Sequence, residues 1–298
     1  MTLTAVTVVV PATSANLGPG FDALGLALGL YDEVTVHVLD RPGLSVDVVG
    51  EGAGQLSRDE SHLVVQAFRT ASERFGGPAG GLAVRCANHI PQGRGLGSSA
   101  GAIVAGVLAA ATLAEGGELG RDALLGVATE LEGHPDNVAA CLLGGFTIAW
   151  TDETGAHAVR LDPSPVIEAM VFVPAGGLET AAARRLLPAT VPHGDAAHAA
   201  GRSALAVEAL TRRPDLLLAA TEDRLHQHYR APAMPATAVL LDRLRSLGIA
   251  AVVSGAGPSV LALLPAERPD LAALAEPGWT VTRLPLDLGG ARLLENAD

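Results

Sequence analysis

The most informative segment of this chain lies near its middle and reads Pro91-Gln92-Gly93-Arg94-Gly95-Leu96-Gly97-Ser98-Ser99-Ala100-Gly101. Four glycines surround two serines, and an Ala-rich stretch that predicts a helix follows to about residue 114. Glycine permits positive φ and a close backbone approach, so consecutive N–H groups can point at one anion. The unpaired N–H groups at the start of the helix add a partial positive charge. The segment therefore predicts a phosphate cradle without a lysine, with an ordinary Gly-rich turn capped by a serine as the alternative.

The composition limits the chemistry that such a loop can serve. Of the 298 residues, 49% are apolar and 17% are charged, which predicts a folded chain with a sizeable core. The 20 basic residues are all arginine, which excludes a Schiff-base lysine and the lysine of a Walker A loop. A net charge of −12 and an aromatic content of 3% argue against nucleic-acid binding.

The chain shows no pattern of a secreted or membrane protein. Residues 1–4 lack the basic region of a signal peptide. The longest apolar run, residues 100–114, is shorter than the roughly 20 residues that a membrane span needs. Cys86 and Cys141 form neither a metal-binding spacing nor a disulfide framework. We therefore expect a cytoplasmic protein that has no membrane or nucleic-acid partner.

The flanking sequence alternates strand and helix patterns. The predicted strands are residues 3–10, 31–39, 44–49 and 82–86. The predicted helices are residues 63–75 and 121–132. In this interpretation Pro11 ends the first strand, residues 12–20 form a polar loop, and residues 21–30 form a short helix or strand. A second block begins near residue 155, so the pattern predicts an α+β fold with two domains, residues 1–155 and 156–298.

The central loop resembles the ATP motif Pro-x-x-x-Gly-Leu-Gly-Ser-Ser of the GHMP kinases, a family of small-molecule kinases. Residues 11–22 and 252–260 resemble the first and third motifs of the same family, in the expected order. The resemblance implies a two-domain GHMP kinase fold, with an N-terminal domain like ribosomal protein S5 domain 2 and a ferredoxin-like C-terminal domain. It also implies that residues 91–101 bind ATP and that the hydroxyl of Ser99 binds Mg²⁺.

The first motif is Pro11-Ala12-Thr13-Ser14-Ala15-Asn16-Leu17-Gly18-Pro19-Gly20-Phe21-Asp22, and it is most similar to the homoserine kinases of this family. It places an amide and a carboxylate on a loop rich in Gly and Pro, where both could equally be turn formers. The resemblance implies that Asn16 and Asp22 contact homoserine, with the carboxylate as partner of the substrate ammonium group. The third motif, which contains Gly255, is implied to approach the same site, with a plain tight turn as the alternative.

A further segment, Glu130-Leu131-Glu132-Gly133-His134-Pro135-Asp136-Asn137-Val138, also resembles homoserine kinases. Related kinases place a Mg²⁺-binding glutamate just before it, so Glu132, or alternatively Glu130, is the predicted metal ligand. Asn137 falls where mevalonate and galactose kinases carry a catalytic aspartate. Because an amide cannot accept a proton as a carboxylate does, the resemblance implies catalysis by positioning, with a phosphate oxygen as proton acceptor. His134 is a candidate for binding substrate, with a structural role as the alternative.

Two arginines complete the predicted site. Thr180 and Arg184 lie in a Thr-x-x-Ala-Arg stretch that resembles a family pattern, and Arg230 resembles another substrate-contacting position. A guanidinium fork suits the α-carboxylate of an amino acid. Arg185 and Arg202 are alternates, and solvated surface arginines are the alternative interpretation.

Together these features predict ATP-dependent phosphorylation of the hydroxyl of L-homoserine, a small-molecule substrate. The resemblance implies ATP and Mg²⁺ as cofactors, and it places Asn137, Asp22 and Arg184 at the reaction centre. Family members are often homodimers, so a homodimer is possible here. The rival interpretations are a GHMP kinase for another small alcohol and a non-catalytic ligand-binding protein of the same fold.

Overall fold

The fold consists of two β-sheets, each packed against helices. The computed structural model describes residues 4–114, 119–265 and 271–294. The strands are β1 (Ala5–Ala15), β2 (Leu24–Leu39), β3 (Leu44–Gly50), β4 (Gly81–Asn88), β5 (Phe146–Asp152), β6 (Gly155–Leu161), β7 (Ile167–Pro174), β8 (Ala250–Val253), β9 (Val260–Pro265), β10 (Trp279–Leu284) and β11 (Arg292–Leu293). The α-helices are α1 (Leu63–Phe75), α2 (Ser98–Leu113), α3 (Arg121–Glu132), α4 (Pro135–Leu143), α5 (Thr180–Arg184), α6 (His193–Thr211), α7 (Leu217–Ala220), α8 (Gln227–Arg230) and α9 (Pro235–Ser246). In these described ranges no helix is both long and apolar enough to cross a membrane.

The first sheet has the strand order β11-β1-β2-β4-β3, and β5 and β6 extend it from β2. Neighbouring strands are antiparallel except β3 and β4, which run parallel because α1 connects them. Helices α1 to α4 cover one face of this sheet. Val6, Val8 and Val10 are buried against them at the period of two that a strand requires. The core consequently forms mainly from aliphatic side chains, which agrees with an aromatic content of 3%.

The second sheet has the strand order β10-β7-β9-β8 and is antiparallel throughout. Met170 and Phe172 of β7 pack with Leu240 and Leu244 of α9 in its core. The predicted domain boundary at residue 155 falls at the start of β6, which pairs with β5 in the first sheet. The chain therefore changes sheets between β6 and β7, and it returns to the first sheet at β11.

The expectation that Pro11 ends the first strand is wrong. Strand β1 continues to Ala15, and its pairing with β2 shifts register between Pro11 and Ala12. A register shift accommodates a proline because the residue has no N–H to donate to the ladder. Strand β2 begins at Leu24, so residues 21–30 are largely strand. The first motif is therefore held at the end of a paired strand and turns away from the sheet only at Asn16.

Sequence periodicity predicts several other helices and strands correctly. The predicted helices are α1 and α3 with the predicted bounds, and the predicted strands at residues 44–49 and 82–86 are β3 and β4. Helix α4 is not among the predicted elements. It begins at Pro135, a residue that is favourable in the first turn because its missing N–H has no helical partner there. The start of α4 places the polar residues that follow Pro135 at the edge of the site.

Three segments from distant parts of the chain meet at one end of the first sheet. Thr13 N donates to Leu96 O at 3.0 Å, which joins β1 to the Gly-rich loop. Ser254 Oγ, in the turn between β8 and β9, donates to Gly95 O at 2.7 Å. The three regions that resemble family motifs therefore support one another directly.

Candidate active site

A cavity of about 190 Å³ opens where these three segments meet. The predicted site residues that line it are Asn16, Asp22, residues 91–99, Glu132, His134, Asn137, Thr180, Arg184, Arg230 and Gly255. Ala100, Gly101 and Glu130 are not among its lining residues in the described part of the chain. Ala100 and Gly101 lie in the first turn of α2, where they are buried by packing rather than exposed to a ligand.

The Gly-rich loop owes its shape to close contacts that only glycine permits. Gly95 and Gly97 have φ values of 75° and 72°, in the region that favours glycine. A Cβ on Gly97 would lie 1.9 Å from Thr13 Oγ1, and a Cβ on Gly95 would lie 2.2 Å from Ser254 O. The N-cap of α2 is Gly97, which has no side chain with which to cap the helix, so the alternative of a serine-capped turn is not what forms. The start of α2 instead suits an anion.

Arg94, a predicted nucleotide contact, joins the loop to the second sheet. Its guanidinium donates to Pro174 O at 3.1 Å and to Gln92 O at 2.9 Å, and it also donates to Ala175 O. These bonds use nitrogen atoms that a phosphate would otherwise contact. Arg94 therefore fixes the position of the loop.

Ser99 and Glu132 form the part of the site that suits a cation. Ser99 Oγ donates to Glu132 Oε1 at 2.8 Å. Burial raises the pKa of the Glu132 carboxyl above its ordinary value, and the bond from Ser99 only partly opposes this effect. Glu130 instead pairs with Arg74 at 2.9 Å, with both side chains mostly exposed. The geometry thus favours Glu132 over Glu130 as the carboxylate at the cavity.

This donor set fits Mg²⁺ better than a softer metal ion. In the described residues no group of three or more His, Cys, Asp or Glu side chains could hold a metal ion by itself. Mg²⁺ commonly uses one or two protein oxygens together with phosphate oxygens and water. A hydroxyl and a carboxylate beside an anion-binding loop provide that arrangement.

Asp136 is a site residue that the sequence interpretation did not assign. It is 1% exposed, and its Oδ1 accepts bonds from His134 Nδ1 at 2.8 Å and from Asn137 N at 2.7 Å. Burial acts to lower the pKa of His134, but the hydrogen bond and charge of Asp136 outweigh it, so this pKa is raised. The available signal was an aspartate directly after the helix-starting Pro135. Asp136 thus organises both of the predicted residues beside it.

Asn137 presents its amide in one fixed orientation. Its Oδ1 accepts a bond of 2.8 Å from Thr13 Oγ1, a fully buried hydroxyl that was quoted in the first motif but given no role. Nδ2 lies 3.5 Å from Asp136 Oδ1. Nδ2 carries two N–H groups, of which Asp136 takes at most one, so Asn137 can offer an N–H donor to a ligand.

Asp22 and Arg184 form a two-pronged ion pair across the cavity. Arg184 Nη2 donates to Asp22 Oδ1 at 2.7 Å, and Nη1 donates to Oδ2 at 3.0 Å. The side chains are 35% and 38% exposed, so both charges are accessible to a ligand. Thr180 is exposed at the start of the short helix α5 that carries Arg184. The alternates Arg185 and Arg202 do not line the cavity, and Arg202 pairs with Glu222.

Asn16 holds the first motif in place with both ends of its amide. Its Oδ1 accepts a bond from Asp22 N at 2.9 Å, and its Nδ2 donates to Gly255 O at 2.9 Å. Asn16 and Asp22 have positive φ values of 69° and 56°, a conformation that asparagine and aspartate tolerate better than most residues. The amide therefore sets the direction of the Asp22 side chain while it lines the cavity.

Comparison with known proteins agrees with this geometry. The model of the GHMP kinases N terminal domain matches residues 62–145, and the model of the GHMP kinases C terminal domain matches residues 205–276. The chain belongs to the GHMP kinases. The Gly-rich loop of this GHMP kinase lies within the first matched region, and the third motif that supports the loop lies within the second.

Within this family, the chain is similar to several homoserine kinases. It is 60% identical to the homoserine kinase of Streptomyces coelicolor over 97% of this chain and 94% of that protein. It is 59% identical to the homoserine kinase of Streptomyces avermitilis, over 97% of this chain and 96% of that protein. Among solved structures, the homoserine kinase of Cytophaga hutchinsonii matches with a TM-score of 0.86 and 27% identity, over 99% of this chain and 98% of that one.

Proteins with other activities share this fold. The mevalonate diphosphate decarboxylase of Staphylococcus aureus matches with a TM-score of 0.67 at 15% identity, over 98% of each chain. At this identity the match supports the fold alone. The predicted two-domain GHMP kinase fold is confirmed by these comparisons.

Proposed function

We propose that this GHMP kinase transfers the γ-phosphoryl group of ATP to the hydroxyl of L-homoserine, which forms O-phospho-L-homoserine for threonine biosynthesis. The observation that carries the proposal is one cavity lined by both a phosphate-binding loop and the Asp22–Arg184 pair. A loop of this kind suits the phosphates of a nucleotide, and paired opposite charges suit a zwitterion. The high identity to homoserine kinases supports the same substrate.

The charged side chains bind the amino-acid end of the substrate. Asp22 accepts hydrogen bonds from the ammonium group, while the guanidinium groups of Arg184 and Arg230 donate to the α-carboxylate. Asp22 and Arg184 neutralise each other in their ion pair. A zwitterion can bind between them so that each charge exchanges one partner for another, which limits the cost of desolvation.

The reaction itself depends on alignment. The substrate hydroxyl oxygen bonds to the γ-phosphorus as the bond to the bridging β–γ oxygen breaks, and ADP leaves. Asn137 orients the hydroxyl through an N–H of Nδ2, while the bond from Thr13 to Oδ1 fixes the orientation of the amide. The hydroxyl proton passes to a phosphate oxygen, since an amide is not a base.

The loop of residues 91–99 and the start of α2 hold the ATP phosphates, and Ser99 and Glu132 hold Mg²⁺. When bound there, Mg²⁺ supplies positive charge to the phosphate oxygens. Asp136 keeps His134 and Asn137 in position at the edge of the same cavity. A homodimer and a cytoplasmic location stay predictions, and light scattering after size exclusion tests the first.

The test is an ATP-consumption assay with Mg²⁺ that compares L-homoserine with L-serine, L-threonine, mevalonate and galactose. We expect turnover with homoserine, a loss of about 100-fold or more in kcat/KM for homoserine in Asp22→Ala, and no loss in the exposed control Asp40→Ala. Robust turnover of another alcohol instead of homoserine would keep the kinase class and discard the substrate. A folded protein that binds ATP without turnover of any alcohol would contradict the proposal.

A further inference from the structure

His226 is a buried histidine that joins the first motif to one of the cavity arginines. It is 0% exposed. Its Nε2 lies 2.9 Å from Gly18 O, and its Nδ1 lies 3.1 Å from Arg230 Nη1. A carbonyl oxygen can only accept a hydrogen bond, and a guanidinium can only donate one. The two contacts are therefore satisfied together only when the ring is neutral, with its proton on Nε2 and a lone pair on Nδ1.

Arg230 lines the cavity and, within the described residues, has no carboxylate partner. It is 2% exposed, and its Nη1 donates to His226 and to Gly255 O, the latter at 3.3 Å. In the described part of the chain no ion pair joins it to an acid, and its Nε is buried without a hydrogen-bond partner. Arg184, by contrast, is paired with Asp22. A buried guanidinium held by neutral acceptors beside a cavity is suited to an anionic ligand.

The ring of Phe21 lies beside Arg184, Arg230 and His226. Its ring centroid lies 5.5 Å from Arg230 Cζ, 5.6 Å from Arg184 Cζ and 5.3 Å from the His226 ring centroid. A neutral imidazole bonds to Arg230 without placing a second positive charge beside that guanidinium. Protonation of His226 would add that charge and would replace the acceptor at Nδ1 with a donor aimed at Arg230.

The charged groups around His226 determine when it titrates. Asp223 Oδ2 lies 3.8 Å from Nε2, but it also accepts the backbone N–H groups of His226 and Gln227. Burial lowers the pKa of His226, Asp223 opposes this, and Arg230 lowers it further, while the hydrogen bond with Gly18 O and the charge of Asp22 act in the raising direction. The neutral ring is therefore the form present at and above neutral pH.

We propose that His226 is a positioning residue whose neutral, Nε2-protonated ring fixes the guanidinium of Arg230 for the substrate α-carboxylate. The proposal rests on the proposed function, because it names how one end of that substrate is held. Its consequence is a pH dependence of substrate binding: KM for homoserine rises when His226 gains a proton on the acid side of neutrality.

Two substitutions separate the contacts of the ring. In His226→Gln the amide nitrogen takes the place of Nε2 and keeps the bond to Gly18 O. In His226→Asn the amide oxygen takes the place of Nδ1 and keeps an acceptor for Arg230. His228→Gln is the matched control, because His228 is exposed, packs on Tyr229 and does not line the active-site cavity.

The measurement is kcat and KM for homoserine and for ATP between about pH 5.5 and pH 8.5, which spans the titration range of histidine. We expect His226→Gln to raise KM for homoserine about tenfold, with kcat and KM for ATP within about twofold. His226→Asn should keep KM within about threefold and remove its rise at acid pH. Equal effects of the two variants, or a parallel change in KM for ATP, would indicate a structural role and overturn the proposal.

A measurement on the unsubstituted protein keeps the proposal testable if a variant does not fold. Imidazole ¹⁵N shifts of the folded enzyme at about pH 7.5 report which ring nitrogen carries the proton. An Nε2–H ring supports the proposal, and an Nδ1–H or protonated ring overturns it. This result does not depend on which alcohol is phosphorylated, so failure of the proposed substrate would be recognised separately by the absence of homoserine turnover.

Discussion

The two ends of the cavity are built in different ways. We call residues 91–99 the nucleotide end, and Asp22, Arg184 and Arg230 the substrate end. The nucleotide end is one continuous segment that offers backbone N–H groups, and it excludes side chains where it approaches Thr13 and Ser254. The substrate end consists of charged side chains, and its ion pair joins residues that are 162 positions apart.

This difference indicates that binding at the nucleotide end depends mainly on shape and that binding at the substrate end depends mainly on charge. A side-chain substitution leaves the N–H groups of a backbone cradle in the chain, but an added methyl group can displace the loop that carries them. A side-chain ion pair tolerates small shifts of the backbone, but it loses binding energy when a charged group is moved or removed. Substitutions that separate shape from charge should therefore affect the two ends unequally.

The largest effect is expected for Gly97→Ala. The new Cβ would meet Thr13 Oγ1 and would occupy a residue with positive φ, so the loop must move. We expect kcat/KM for ATP to fall by about 100-fold or more and stability to fall by about 1–3 kcal/mol. Steady-state kinetics and urea unfolding measure the two quantities.

The control for this change is Gly126→Ala in α3, where a Cβ meets nothing within 4 Å. Alanine is the better helix former, so this variant should be slightly more stable, with unchanged kinetics. Normal ATP kinetics in Gly97→Ala would contradict a nucleotide end that is limited by shape.

A smaller effect is expected for Glu132→Gln, which keeps the size of the side chain and removes its charge. The concentration of Mg²⁺ that gives half-maximal activity should rise about 30-fold, because an amide is a weaker ligand than a carboxylate. Electron paramagnetic resonance of Mn²⁺ with an ATP analogue measures binding without turnover. The matched control is Glu130→Gln, and an equal effect of both variants would discard Glu132 as the ligand.

A tenfold effect is expected at the substrate end for Arg184→Lys. Lysine keeps the charge but loses the fork that donates to both oxygens of Asp22. KM for homoserine should rise about tenfold while KM for ATP changes less than about twofold. Arg185→Lys is the control on the exposed neighbour. If KM for ATP rose as much as KM for homoserine, the two ends would not be separable.

The smallest effect is expected for Asp32→Asn, below the nucleotide end. Asp32 Oδ1 accepts the N–H groups of His89 at 2.6 Å and Ile90 at 2.8 Å, directly before the loop, and burial raises its pKa despite these bonds. A group with a raised folded-state pKa contributes stability below its ordinary pKa and loses it as pH rises through the folded-state value. Asparagine keeps an acceptor without the buried charge, so this variant should be more stable at neutral pH by at most about 1 kcal/mol.

Urea unfolding at about pH 4 and about pH 7 tests this sign, because the gain should appear only at the higher pH. Kinase activity should stay within about twofold, since the backbone of His89 and Ile90 keeps its acceptor. The exposed Asp47→Asn on β3 is the control. A gain of equal size at both pH values would show that the charge of Asp32 is not the cause.

Local sequence was sufficient wherever the determining contacts lie close together in the chain. The bounds of α1 and α3 and the Gly-rich loop were all predictable, because helical periodicity and glycine conformation are local properties. The extension of β1 beyond Pro11 was not, because a register shift against β2 absorbs the proline. The roles of Asp136 and His226 were also missed, since burial and hydrogen-bond partners from distant segments distinguish them from ordinary polar residues.

The sequence by itself therefore identifies the candidate functional groups, which are the glycines of the loop, the hydroxyl of Ser99, and the acids and arginines that suit a zwitterion. Tertiary structure decided which of them act together. It placed Glu132 rather than Glu130 at Ser99, paired Arg184 with Asp22, and gave Arg230 the neutral partners His226 and Gly255 O. The physical reason is that charge and hydrogen-bonding capacity belong to each side chain, whereas burial and pairing arise only when separate segments pack against one another.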